Sequence, residues 1–380
     1  MQKNVITVLL IAVAGLIALG LVMLFSTGAY ARDSHGDMYL FVKRQGMWLV
    51  VGICAALFAA SMDYHIWRKW WWVLFVGSAF LLLLCFIPPI GQRINGSSRW
   101  INLGFGAIQP SEFAKVSSIF FVAWWFSRED LNFDNVKNGL LIPLAVLGIP
   151  MALIVMEVDI GNTALIGATA FAVMFVAGAA LRWLAVLVPM AFASIFLVAL
   201  MVPERVQRLL AFVDPEKYRL TEGLQQWQGL IAFGSGGMHG LGLGEGRQKM
   251  HYLPYAHTDF IFPMIGEELG LKFTALTVTA FLVIMLCGAL ISANSRDRFG
   301  MLLGFGCTMM ITIQSAVNLG VTTSLLPNKG MPLPFISYGG SNLVVCLFLI
   351  GLLVNIHRQG QPLVSRFAPV LLRPHIEPRV

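Results

Sequence analysis

The sequence predicts an all-α polytopic membrane protein of about ten transmembrane helices, with a large extracytoplasmic loop between spans 7 and 8. Three observations carry this prediction. Of 380 residues, 57% are hydrophobic and 12% charged, a balance outside the usual range of soluble domains. The apolar residues lie in continuous runs near the roughly 20 residues that cross a bilayer as helix, where a transmembrane barrel would show alternating segments of about ten. Charge, Gly, Pro and Asn separate the runs and break helices between them.

The first run, Val5 to Phe25, follows Lys3. Ala29-Tyr30-Ala31 imitates a signal-peptidase site, but the run exceeds the roughly 7–15 residues of a signal core and reads as a retained span. Further spans are expected at about 47–61, 71–89, 113–126, 139–156, 163–181, 183–201, 273–292, 301–322 and 341–356. Two places control the count: the short run that opens with Glu112 and Lys115, and the tight break at Leu181-Arg182-Trp183. An error of one there would invert the second half.

Basic residues set the orientation. Arg68, Lys69, Arg128, Lys137, Arg182, Arg296 and Arg298 gather densely in short loops on one side, which puts both termini in the cytoplasm. Trp70 to Trp72 fit an interfacial belt. The loops near 26–46, 88–112, 157–162, 202–272 and 323–340 are then external. Residues 1–360 read as one membrane domain, and 361–380, with Arg366, Arg373 and Arg379, as a disordered basic tail in the cytoplasm. The loop 202–272 is too long to be a bare connection. Within it RVQRLLAFV, ended by Asp214-Pro215, predicts a short amphipathic surface helix, and Gln225 to Phe233 a second helix.

The five cysteines all fall inside apolar runs, without the spacing of a metal site or a disulfide framework. A net charge of +7 suits the anionic membrane surface. Nothing points to nucleic acid.

Polar chemistry gathers in three stretches. The first, Gly234 to Gly270, carries seven glycines between 234 and 246 and then His257-Thr258-Asp259-Phe260. Asp259, where loop meets apolar run, is the candidate general base, because partial desolvation raises a carboxyl toward a useful pKa. A Thr-Asp pair ahead of a helix is also what an N-cap looks like, and the two roles are compatible. The glycines fit neither GxGxxG nor GxxxxGK[ST]. They predict backbone that turns tightly or is closely approached, with Lys249 at their end as a candidate phosphate contact. Glu268 and Lys272, four apart, have the spacing of a simple helix-surface ion pair.

The second stretch, Arg93 to Lys115, holds Arg99 and Trp100, which are either interfacial anchors or ligand contacts. Glu112 and Lys115 lie on one face of a helix entering lipid, where burying both charges is costly unless they pair or line a cavity. The third, Pro327 to Asn342, reads as re-entrant, non-helical backbone, tolerated at membrane depth only inside protein or along a cavity. There Lys329, Ser337 and the Gly339-Gly340 amides would seat an anion.

Together these stretches resemble the SEDS family of bacterial membrane proteins for shape, elongation, division and sporulation, which includes FtsW and RodA. The resemblance rests on SSRWINLG with QPSEFAK, VDIGN, GSGGMHGLGLG, LPYAHTDFIF with GEELG, and KGMPLPFISYGGSN, in family order over nearly the whole chain. The Lys-Gly ahead of LPFISYGG and the GEELG element look more like FtsW than RodA. Two departures are visible: Glu157-Val158-Asp159 where members commonly have Gln-Pro-Asp, and Tyr255 where Glu is usual.

The resemblance implies a peptidoglycan glycosyltransferase acting on lipid II and the undecaprenyl-linked glycan strand, at the outer face of the bacterial cytoplasmic membrane. It also implies a class B penicillin-binding protein as transpeptidase partner, alongside other divisome or elongasome membrane proteins. Residue by residue, the family's essential Asp falls on Asp259, its Arg-Trp on Arg99 and Trp100, its paired Glu and Lys on Glu112 and Lys115, and its late lysine on Lys329. The expected chemistry is one inverting displacement with Asp259 as base. Arg99, Lys115, Lys329, Arg205, Arg208 and Lys249 are the candidate cations at the leaving pyrophosphate, and His257 the candidate orienter of Asp259. No metal motif is visible, although a divalent cation, Mg2+ or Mn2+, at the pyrophosphate fits the chemistry. The rival readings are a lipid II flippase and a non-catalytic division scaffold. Charge gathered on one side, with no visible inverted repeat, favours the enzyme.

Overall fold

The computed structural model describes residues 2–360 except 29, 31–36, 89, 95–96, 103, 105, 188, 191–202 and 251. Its elements in chain order are α1 (Gln2–Gly28), α2 (Leu40–Ser61), α3 (His65–Leu84), β1 (Gly91–Ile94), β2 (Ser97–Asn102), β3 (Ala107–Ile108), α4 (Pro110–Phe126), α5 (Ile142–Met156), α6 (Ile160–Val176), α7 (Pro203–Val213), α8 (Leu224–Gly236), α9 (Ile261–Ala293), α10 (Arg298–Thr322) and α11 (Gly340–Gln359). A π-helical turn, Lys137–Leu141, leads into α5.

This is a polytopic all-α membrane protein. Among the described residues seven helices are long and apolar enough to cross a bilayer: α1, α2, α3, the joined 137–156, α9, α10 and α11. The expected spans at 113–126 and 163–181 correspond to α4 and α6, each of 17 residues and so a little short of a full crossing. The expected span 183–201 lies largely outside the described residues. The described helices therefore support seven long spans, not ten.

Burial separates an inner group from an outer one. In α10 and α11, 61% and 72% of the spanning window is buried, against 17% in α2 and 22% in α3, and nearly every residue of α4 is buried. The site lies against these inner helices, which reach it through Glu112 of α4, Asn318 of α10 and Asn342 of α11. Small residues let neighbours close up: a Cβ on Gly351 of α11 would run into the Ala56 carbonyl of α2.

Helix α9 breaks at Gly270, whose φ of 78° and ψ of −174° divide it into a buried half-helix, 261–269, and a span from 271 onward. The break leaves carbonyls without their helical donors, and backbone polar groups in an apolar interior need replacements. The glycine run supplies them: Leu241 N donates to Glu267 O (2.9 Å) and Gly242 N to Glu268 O (3.0 Å), while Leu271 N donates to Gly237 O (2.9 Å). Any Cβ on Gly240 or Gly270 would collide with the facing backbone. The expected 202–272 loop is accordingly folded where it is described, with α7 and α8 at the two predicted helices. The predicted Glu268–Lys272 pair is corrected, because the break at Gly270 removes their common helix face and Lys272 is exposed.

The 88–112 stretch contains a small antiparallel sheet in the order β1-β2-β3, with an irregularity between Gln92 and Arg93. Its alternation is too brief to stand out in sequence.

Candidate active site

Asp259 lies at the end of the turns that follow the glycine run, immediately before the half-helix. It does not cap that helix: Phe260 holds the N-cap position and no side chain bonds there. Its carboxyl is therefore left to the loop cluster around it. Lys329, Asp159 and Arg99 are the charged groups that act on it. Burial pushes its pKa from 3.8 up to about 6; Lys329 and Arg99 oppose that rise and Asp159 adds to it. The carboxyl packs so closely on the next segment that a Cβ on Gly330 would lie 2.5 Å from Asp259 Oδ2.

The cations come from two other loops. Lys329 Nζ is 3.8 Å from Asp159 Oδ1 and its side chain is 27% exposed, so it keeps access from outside. A Cβ on Gly161 would lie 2.5 Å from Lys329 Cε, which makes that glycine the floor for the lysine stem. Arg99, from β2, donates to the backbone carbonyls of Glu157 (3.3 Å) and Val158 (3.0 Å) and to Ser97 Oγ (3.0 Å). It thereby clamps the turn that ends in Asp159. Asp159 caps α6 by accepting from Asn162 N (3.3 Å) and also takes Gln109 Nε2 (3.1 Å). Val158, Tyr255 and Phe335, all near these charges in sequence, hold left-handed backbone at φ of 64°, 57° and 67°. Non-glycine residues in that region are strained and cluster at functional sites.

Glu112 and Lys115 form a buried pair, 2.7 Å apart with side chains 2% and 1% exposed. Lys115 also donates to Gln314 Oε1 (3.0 Å), and Asn342 Nδ2 donates to Glu112 Oε2 (3.1 Å). The pair thus lines the floor beneath the non-helical 330s segment. Ser337 Oγ donates to Thr258 O (2.6 Å) and accepts from Leu333 N (2.8 Å), and Tyr338 N donates to His257 O (3.0 Å). Ser337 is thereby engaged in strapping the 330s segment to the Asp259 turn. The His257 ring lies 4.4 Å from that of Phe41 and 6.1 Å from that of Tyr338.

The other expected contacts are placed apart. Lys249 is buried, its Nζ within 2.7 Å of Glu268 Oε1, 2.8 Å of Ser26 Oγ and 2.6 Å of Gly244 O. Trp100 sits half-buried on β2 opposite Gln92. Arg208 is exposed on α7, and the side chain of Arg205 lies outside the described residues.

Three residues that sequence reasoning passed over belong to the cluster: Asp159, Gln314 and Asn318. The last two are buried amides inside an apolar span, and polar residues at that depth are the signal that could have found them. Asn318 Nδ2 donates both to Asp259 O (2.8 Å) and to Met331 O (2.6 Å).

The arrangement is a half-buried carboxyl with a raised pKa, flanked by an accessible ammonium and by a guanidinium that two backbone carbonyls hold. It can take a proton from a hydroxyl while cations hold developing negative charge.

The chain is 38% identical to the probable peptidoglycan glycosyltransferase FtsW of Geobacter metallireducens over 93% of this chain and 95% of that one. It is 36% identical to the stage V sporulation protein E of Bacillus subtilis, over 91% and 95%. Among solved structures it superposes on a chain from a peptidoglycan synthase complex that coordinates polymerization and crosslinking, at a TM-score of 0.75 and 26% identity, over 92% of this chain and 96% of that one. The rod shape determining protein RodA of Thermus thermophilus shares the fold at a TM-score of 0.67 and 24% identity, over 93% and 97%. The model of the FtsW/RodA/SpoVE cell cycle proteins matches residues 7–361, and this chain belongs to that family.

Proposed function

We propose that this protein is a peptidoglycan glycosyltransferase that polymerises lipid II, with Asp259 as the general base. The observation that carries the reading is the Asp259 carboxyl, raised to a pKa of about 6 beside Lys329 and Arg99, in a chain whose relatives at 38% identity bear the name of that activity. Asp259 removes the proton from the acceptor sugar's 4-hydroxyl. The oxygen attacks the anomeric carbon of the donor, a new C–O bond forms, and the bond to undecaprenyl pyrophosphate breaks. An α-linked donor giving a β-linked product needs one inverting displacement and no covalent enzyme intermediate. Lys329 and Arg99 face the charge that grows on the leaving group.

The donor set does not fit a resident metal site. Among the described residues no three His, Cys, Asp or Glu side chains group together, and the lysine beside Asp159 occupies the place of a counter-ion.

In this reading the chain has ten spans, counting α4, α6 and the incompletely described 183–201 as crossings. Both termini are then cytoplasmic, and the Asp259 end faces outward from the bacterial inner membrane. Density of Lys and Arg supports that orientation. A class B penicillin-binding protein, within the divisome or elongasome, is the partner that crosslinks the product. The match to a chain from a synthase complex with a crosslinking activity supports that pairing.

The test uses purified protein, fluorescent lipid II and the partner. Asp259→Ala should lose strand synthesis by about 10²- to 10⁴-fold while folding and partner binding persist. Substantial polymer from that variant would sink the base assignment. Lipid II movement across liposomes with no polymer from the unaltered protein would replace the enzyme by a flippase.

A further inference from the structure

Gln314 and Asn318 stand one turn apart on α10, facing the same way, and each is 1% exposed. Asn318 spends both amide protons on non-helical backbone, one on Asp259 O and one on Met331 O, at 2.8 and 2.6 Å. Gln314 donates Nε2 to Pro332 O (2.9 Å) and accepts Lys115 Nζ on Oε1 (3.0 Å). The three carbonyls belong to the two stretches that carry Asp259 and Lys329. Neither stretch is helical there, so these carbonyls depend on side-chain donors in the interior.

Packing alone does not account for the asparagine. Its Oδ1 is buried with no hydrogen-bond partner among the described residues, a cost that an apolar side chain of that size would avoid. The two donated bonds offset that cost, and what they join is the turn of the carboxylate to the segment of the ammonium. Ser337 and Tyr338 already tie the two stretches at Thr258 O and His257 O, and the α10 amides add a second hold at the residues next to the carboxylate and the ammonium.

We propose that Asn318 and Gln314 are positioning residues for glycosyl transfer: from one face of α10 they grip the backbones of Asp259 and of the segment after Lys329, and hold the base and the cation at a fixed separation. Gln314 further ties that separation to the Glu112–Lys115 pair, whose ammonium it accepts. This rests on the Asp259 reading and extends it to residues that touch neither substrate nor reacting atoms.

The experiment measures kcat, KM for fluorescent lipid II, the pH–rate profile and the thermal midpoint of purified Asn318→Leu, Gln314→Leu, Gln314→Glu and Asp259→Ala. The charged groups facing Asp259 are Lys329, Asp159 and Arg99. Asn318→Leu should lower kcat about 10- to 100-fold, the effect of small misplacement at a reacting centre, with KM within about twofold. Its acid limb should move to higher pH than in the unaltered protein, because the ammonium that favours the ionised carboxylate is no longer held near it. Gln314→Leu and Gln314→Glu should shift both quantities the same way by less. Gln314→Glu keeps the acceptor for Lys115 and loses the donor to Pro332, so unaltered kinetics in that variant would overturn the role given to Gln314. A fall in kcat that only follows the folded fraction, with the acid limb unmoved, would make Asn318 a structural residue and overturn the proposal. Activity retained by Asp259→Ala would instead remove the base reading on which it rests. An inactive Asp259→Ala beside an Asn318→Leu of unaltered kinetics would remove the positioning role alone.

Discussion

Among the described residues two lysine–glutamate pairs are buried with nearly the same geometry, and their surroundings differ. In both the closest approach is 2.7 Å and the lysine is 1% exposed. Lys115 and Glu112 pass their remaining hydrogen bonds to side chains, Gln314 and Asn342, and through Gln314 to the backbone of the 330s segment. Lys249 and Glu268 pass theirs to Ser26 and to the backbone of Gly244, which locks the end of α1 and the glycine loop onto the half-helix. Desolvation of such pairs is costly in either place. One is connected to the site and the other to the frame.

Breaking either pair on one side should have the largest effect. Lys115→Met, Glu112→Gln, Lys249→Met or Glu268→Gln each removes one partner, leaving or unbalancing a buried charge, and should cost about 3–5 kcal/mol, seen as a lowered thermal midpoint in detergent. The comparison is sharpened by removing both partners. Lys249→Met with Glu268→Gln should regain stability and most strand synthesis, whereas Lys115→Met with Glu112→Gln should regain stability and stay slow. Equal recovery of synthesis by the two doubles would dissolve the distinction.

A smaller effect is expected where the frame meets the site. Gly330→Ala places a methyl against Asp259 Oδ2 and should lower kcat by up to about 10²-fold with little change in stability. Gly234→Ala, on α8 with nothing within 4 Å of its added Cβ, should leave the rate alone. Similar losses in both would show that the close contact at Gly330 has no bearing on the base.

A last effect, read as a slope against pH and not as a loss of synthesis, concerns Glu157, beside the Arg99 clamp. Its carboxyl is buried, and burial, the largest influence on it, pushes its pKa from 4.5 up to about 8. The folded state therefore holds a proton that the unfolded chain releases, so its contribution erodes as pH rises from about 4.5 to about 8 and changes little beyond. Glu157→Gln should flatten that part of the stability–pH curve. An unchanged slope would mean that the carboxyl is already ionised in the fold.

The fold class was legible because bilayer-length apolar runs leave few alternatives, and Asp259, Lys329 and the Glu112–Lys115 pair stood out as charges against that background. What escaped was long-range pairing. Lys249 finds Ser26 across 223 positions and Lys115 finds Gln314 across 199, and neither partner is marked in its own neighbourhood. The break inside α9 was hidden for a different reason: Gly270 sits in a run apolar enough to look like a helix start, and only its positive φ reveals that the helix stops and resumes. The expected N-cap role for Thr258-Asp259 shared that blind spot, since only the folded chain shows that Phe260 holds the capping position.

The hydrogen bonds that repair the break at Gly270 have a consequence for how the chain assembles. Leu241 N and Gly242 N, which donate, and Gly237 O, which accepts, lie only about thirty positions from their partners, so the loop that joins them is inexpensive to close. The stretch from α8 through the half-helix can form as one local unit before α1 and α10 dock on it through Ser26 and Asn318. Amide exchange should then show the 237–242 and 267–271 backbone opening together. Separate rates for the two would mean that the half-helix is held by its distant partners instead.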